Sequence, residues 1–123
     1  MTTLIEGPHP GGFLVWEVLR DFTRETVILA SGSGKLAPGT VLGKITTGGK
    51  YSILTPAASN GSQNAAGILW GAVDATDSDA HAVVLVRGPA IVNRYEITFP
   101  EGATEAQITT ATTALAALGI LLR

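Results

Sequence analysis

The chain has 123 residues, of which 46% are hydrophobic and only 15% charged, and its formal net charge is -2. This length fits one domain with a modest core, and the slight negative charge argues against a direct nucleic-acid partner, which requires a basic surface. No cysteine is present, which excludes disulfides and thiolate metal sites, and no apolar run reaches the length of a membrane span. Because charged residues are scarce, we expect apolar surface to be buried against partners.

Residues 1–12 have the composition of an arm. Pro8 and Pro10 lack amide donors and lie among glycines, which excludes a helix there. Two interpretations stay open: a disordered tail, or a segment that orders by adding a strand to the edge of a partner's sheet. The strand-forming residues at its start are Thr2, Thr3, Leu4 and Ile5.

From residue 13 onward, glycines and prolines separate short apolar runs, which is typical of a single, mainly β domain over 13–123. Pro38 followed by Gly39 favours a type II turn, and the pair Gly48-Gly49 favours a β-hairpin. The predicted strands cover residues 13–18, 25–30, 40–46, 50–54 and 91–98.

A second hairpin is predicted at the centre of the chain. The apolar runs 67–73 and 82–86 flank a polar insert, 74–81, which is rich in Asp, Thr and Ser. Neither run alternates between polar and apolar residues, so we expect this hairpin to be covered on both faces.

One helix is predicted near the C-terminus. Thr104 and Gln107 match a capping box, and Gly119 stands where a glycine commonly ends a helix. The apolar tail at 120–122 is expected to pack back onto the fold or onto a neighbour. The residues that share one face of this helix are Ile108, Ala111, Leu115 and Leu118.

No motif predicts a catalytic, cofactor-binding or metal site. Gly34-Lys35 and Gly49-Lys50 lack the upstream glycine and the downstream Ser or Thr of a phosphate-binding loop, so both are interpreted as turns. The acidic insert at 74–81 lacks the glycine and distal glutamate of a calcium loop. Its short carboxylates are expected to bond the local backbone.

Trp16 and Trp70 are the two tryptophans of the chain. Each has two open interpretations: it fills the core, or it anchors an interface, where Trp is favoured.

Several stretches occur in an order that resembles a known family. They are Thr-Arg-Glu-Thr-Val at 23–27, Leu-Ala-Pro-Gly-Thr-Val-Leu-Gly-Lys-Ile at 36–45, Pro-Ala-Ala-Ser-Asn-Gly-Ser-Gln at 56–63, then 66–76, 82–88 and 118–120 with the terminal arginine. Together they resemble the head decoration proteins of tailed bacteriophages, the lambda-type capsid-stabilising family.

This resemblance implies a β-clip-like fold with a small helical part and an extended N-terminal arm. It also implies a homotrimer at local three-fold positions on the outer surface of the expanded phage head. The protein would be present in the host cytoplasm during assembly and would bind the major capsid protein. No enzymatic activity, cofactor or membrane contact is implied. The arm is the capsid-binding element of the family, which by position comprises Thr2, Thr3, Leu4, Ile5, Phe13, Leu14 and Val15.

An alternative from a different class is a trimeric β-clip ligand binder or hydrolase with a site between subunits. This alternative rests on analogy of fold alone. It requires charged side chains to cluster at a subunit junction, and the contributors available are Lys44, Asp74, Asp79 and Arg87.

Overall fold

The computed structural model describes residues 10–123, so the arm residues Thr2, Thr3, Leu4 and Ile5 lie outside the described part. As the sequence predicts, the described chain is mostly β, with one main helix near the C-terminus. The strands are β1 (Leu14–Glu17), β2 (Arg24–Leu29), β3 (Gly34–Leu36), β4 (Val41–Lys44), β5 (Tyr51–Ile53), β6 (Ala65–Leu69), β7 (Val73–Ala75), β8 (Ala80–Leu85), β9 (Ala90–Val92) and β10 (Ile120–Leu122). The helices are α1 (Arg20–Thr23) and α2 (Glu105–Ala117), and a 3-10 turn covers Arg94–Glu96.

Five strands form a closed barrel in the order β2-β5-β4-β6-β8. The predicted hairpin at Gly48-Gly49 is confirmed, since β4 and β5 pair antiparallel and the Ile45 amide bonds the Lys50 carbonyl at 2.8 Å. The predicted turn at Pro38-Gly39 is also present, with Gly39 at a positive φ of 91°.

The central hairpin divides the core into two clusters. Ile68 of β6 pairs with Leu85 of β8, and Leu69 pairs with Val84. Leu69 and Val84 point into the barrel, whereas Ile68 and Leu85 belong to a second cluster beneath α2. The prediction that this hairpin is covered on both faces is therefore confirmed at these two pairs.

The predicted first run of this hairpin, 67–73, is wrong in its length. β6 ends at Leu69, and the chain then leaves the barrel. Val73 begins β7, which pairs antiparallel with β3 through the register Leu36 to Val73. The small β3–β7 sheet contributes Leu36 and Ala75 to the cluster inside the barrel, and this packing accounts for the departure from one continuous strand.

The second cluster is closed by a three-stranded sheet of order β1-β9-β10. β1 is antiparallel and β10 is parallel to β9. The C-terminal tail therefore packs back onto the fold, as expected. The predicted strand at 91–98 is too long: β9 ends at Val92, because the Asn93 side chain accepts the Tyr95 amide and begins the 3-10 turn.

Helix α2 begins and ends where the sequence predicts. Thr104 is its N-cap in a full capping box with Gln107, and Gly119 follows its C-cap with a φ of 89°. Its inward face places Ala111 and Leu115 in the second cluster. Because Leu115 is fully buried, packing stabilises a helix whose threonines give it low intrinsic propensity.

Candidate interaction surface

The described chain begins against the ring of Trp70. The Gly11 amide donates to the Trp70 carbonyl at 2.9 Å, and Gly11 has a φ of 65°. A β-carbon at Gly11 would overlap the indole ring, so this position requires glycine for both space and conformation. Phe13 meets the same ring edge-to-face, with 5.6 Å between centroids and 73° between planes. Trp70 therefore fixes the point where the arm joins the body.

An ion pair strengthens this junction from the other side. The Arg24 guanidinium lies 3.4 Å from the centre of the Trp70 ring and pairs with the Glu17 carboxylate. Glu17 also accepts the Thr23 hydroxyl at 2.6 Å. Because both charged side chains are largely withdrawn from solvent, the contacts tie β1 to α1, β2 and Trp70 together.

The three arm residues within the described part have different environments. Phe13 is buried in the second cluster, and Leu14 packs against that cluster opposite Val92. Val15 is 63% exposed. It is the extra residue where the β1–β9 register shifts between Leu14 and Trp16. Capsid contact by Phe13, Leu14 and Val15 stays a prediction, and the outward side chain among them is Val15.

The two tryptophans also have different environments. Trp70 is partly buried and contacts Phe13 and Arg24. Trp16 is 50% exposed and lies opposite Ile91, which in turn lies opposite Leu121. These three residues form a row across the outer side of the sheet, since directly opposed residues share a face. Interface roles for Trp16 and Trp70 stay predictions, and the exposure favours Trp16.

The row belongs to a larger exposed surface that the sequence reasoning did not identify. We call it the apolar patch, and it comprises residues of β1, α1 and β10. The signal was present in the alternation around Glu17, whose inward ion pair leaves its two neighbours outward. The members of the patch are Val15, Trp16, Val18, Leu19, Phe22 and Leu121.

The acidic insert at 74–81 behaves as the sequence predicts at one aspartate. Asp74 accepts the Thr76 amide at 3.0 Å and its hydroxyl at 2.6 Å, and the hydroxyl bond is the main cause that lowers the Asp74 pKa. Asp79 bonds more distant groups, the Lys50 ammonium at 2.6 Å and the Ser31 amide at 2.8 Å. The Lys50 contact is the main cause that lowers the Asp79 pKa.

The four charged residues considered for a ligand site have separate partners within one chain. Asp74 bonds Thr76 and Asp79 bonds Lys50, as above. Arg87 pairs with Glu25 at 2.8 Å, and the Lys44 ammonium lies 5.7 Å from the centre of the Tyr51 ring. Within residues 10–123, no three metal-ligating side chains gather at one place.

A comparison with protein families bears on the role of this surface. A family model of bacteriophage lambda head decoration protein D matches residues 3–120. The chain belongs to this family. No curated protein matches the chain.

As a member of a head decoration family, the protein is a structural protein of the bacteriophage capsid surface. The apolar surface and the arm junction are therefore considered as contacts in a capsid. Neither helix of the described part is long and apolar enough to cross a membrane.

Proposed function

We propose that the protein binds as a homotrimer to local three-fold positions on the outer surface of the expanded phage head. There it contacts neighbouring major capsid subunits and stabilises the shell against internal DNA pressure. Before that it is present in the host cytoplasm during assembly. The observation that carries this proposal is the family match over residues 3–120, and the trimer and the β-clip type of fold are implied by the family resemblance.

In this proposal the arm is the capsid-binding element. Thr2, Thr3, Leu4 and Ile5 have the side chains of a strand that can add to a sheet edge of the shell. The Trp70 junction supports this role, because a tether transmits binding energy only if its end is fixed to the body. Gly11 and Phe13 provide that fixed end.

Three arms on one trimer act together. Once one arm is bound, the others bind at high effective concentration, so the apparent affinity exceeds that of a single arm by about 10²–10⁴-fold. A protein that binds the expanded lattice in preference to other states stabilises that lattice by mass action, by about 2.7 kcal/mol per site at a hundredfold excess over the Kd.

The test uses expanded, DNA-free heads of the phage that encodes the chain. We expect the purified protein to co-sediment with these heads and to raise their melting temperature. A variant that lacks residues 1–9 keeps the whole Trp70 junction, so it should fold and self-associate as the full chain does but fail to bind heads. Unchanged binding by this variant would show that the arm is not the capsid-binding element.

A further inference from the structure

The apolar patch is large and has no partner among residues 10–123. Eight large apolar side chains of the described part are exposed, and six of them belong to the patch. The other two, Val83 and Tyr95, lie on β8 and in the 3-10 turn. The exposed fractions within the patch are 63% for Val15, 50% for Trp16, 49% for Val18, 58% for Leu19, 51% for Phe22 and 41% for Leu121.

The area of the patch is that of an interaction site. A fully exposed aromatic side chain presents about 150–250 Å², and Val and Leu somewhat less, so the exposed fractions give roughly 600 Å² of apolar surface. This equals the upper end of about 300–600 Å² for the largest patch on a typical monomer. It is somewhat less than the roughly 800 Å² that each partner buries in a stable complex. The patch suits a contact that acts together with another one.

The position of the patch connects it to the arm. The chain turns between Pro10 and β1, and the Leu14 amide donates to the Gly11 carbonyl at 3.0 Å. The patch therefore begins within one turn of the place where the arm leaves the body. Nine extended residues reach at most about 30 Å, so whatever the arm binds lies within that distance of Pro10.

A second copy of the chain is a poor occupant for this patch. Contact between two identical patches is self-complementary and joins two copies, whereas a closed ring of three requires the patch to meet a different surface. Outside the patch, the described residues expose only Val83 and Tyr95 as large apolar side chains, and these do not provide an apolar counterpart of similar size.

Resting on the proposed function, we infer that the apolar patch seats directly on an uncharged, apolar surface of a major capsid subunit. It forms a second contact beside the arm. Each subunit then holds the shell at two adjoining places, by backbone pairing through the arm and by apolar burial through the patch.

The test compares two lysine variants at matched positions. Leu121 and Val83 are both aliphatic strand residues, 41% and 38% exposed, and only Leu121 belongs to the patch. We expect Leu121→Lys to weaken binding to expanded heads at least tenfold, because the contact would bury an unpaired ammonium group. Val83→Lys should bind as the unchanged protein does. Both variants should keep the same sedimentation coefficient and melting temperature.

Other outcomes separate the alternatives. Equal head binding by Leu121→Lys and Val83→Lys would overturn the inference while leaving the arm proposal intact. Loss of self-association in Leu121→Lys would assign the patch to a subunit interface and also overturn it. Failure of the unchanged protein to bind heads would refute the proposed function itself. If Leu121→Lys melts more than about 10 °C lower, Val15→Lys, at the most exposed position of the patch, repeats the comparison.

Discussion

Replacing Trp70 with alanine tests whether this side chain holds the arm junction to the body. The substitution removes the ring that meets Phe13 edge-to-face and supports the Arg24 guanidinium. Truncation of a fully buried Trp or Phe costs about 3–5 kcal/mol, and Trp70 is only partly buried. Taking about 2 kcal/mol for the lost burial and about 1 kcal/mol for the aromatic and cation–π contacts, we expect a loss of about 3 kcal/mol.

This loss corresponds to a melting temperature about 12 °C lower for a chain of this length. The measurement is thermal unfolding by circular dichroism at one fixed protein concentration, because self-association makes Tm depend on concentration. Trp16→Ala is the matched control. Its ring is half exposed, so we expect a loss of about 1 kcal/mol from the buried part and a shift of about 4 °C.

The order of the two variants decides the assignment. If Trp16→Ala lowers Tm more than Trp70→Ala, the roles given to the two rings are reversed. If Trp70→Ala lowers Tm by less than about 4 °C, the contacts of Trp70 with Phe13 and Arg24 do not stabilise the junction.

Three further predictions concern the body. Leu115→Ala opens a cavity at a fully buried position and should cost about 3 kcal/mol in urea unfolding, whereas the same change at the exposed Leu121 should cost much less. Thr104→Ala removes the N-cap of α2 and should cost about 1 kcal/mol; an unchanged urea midpoint would contradict the cap. The Lys50 ammonium holds the Asp79 pKa below its ordinary value, so the stability from Asp79 is present above the unfolded pKa and is lost as pH falls through the lower folded pKa. Asp79→Asn should therefore approach the unchanged protein in Tm as pH falls below about 4, and a constant Tm difference across pH would exclude this linkage.

The features that the sequence predicts well are those determined by nearby residues. The capping box of Thr104 and Gln107 and the glycine at 119 define α2 within the helix itself. The β4–β5 hairpin is likewise determined by its Gly48-Gly49 turn. Such signals act over a few residues, so they can be interpreted without the rest of the fold.

The features that the sequence does not predict depend on distant partners. β3 and β7 are three residues each and acquire strand conformation only by pairing across a long stretch of chain. The same limit applies to the candidate surface. Nothing local distinguishes Trp16 from Trp70, because the difference arises from Arg24 and Phe13 packing on one ring and not on the other.

The outer sheet has a consequence for how the protein is made. β9 lies between β1 and β10, so its two neighbours are the first and the last strands of the described chain. All five barrel strands lie between Arg24 and Leu85, and this segment leaves the ribosome well before β10. A nascent chain can therefore close its barrel early, but Ile120 reaches its place beneath α2 only when synthesis ends. Prematurely terminated products lack this last strand, and the shell would receive only finished copies.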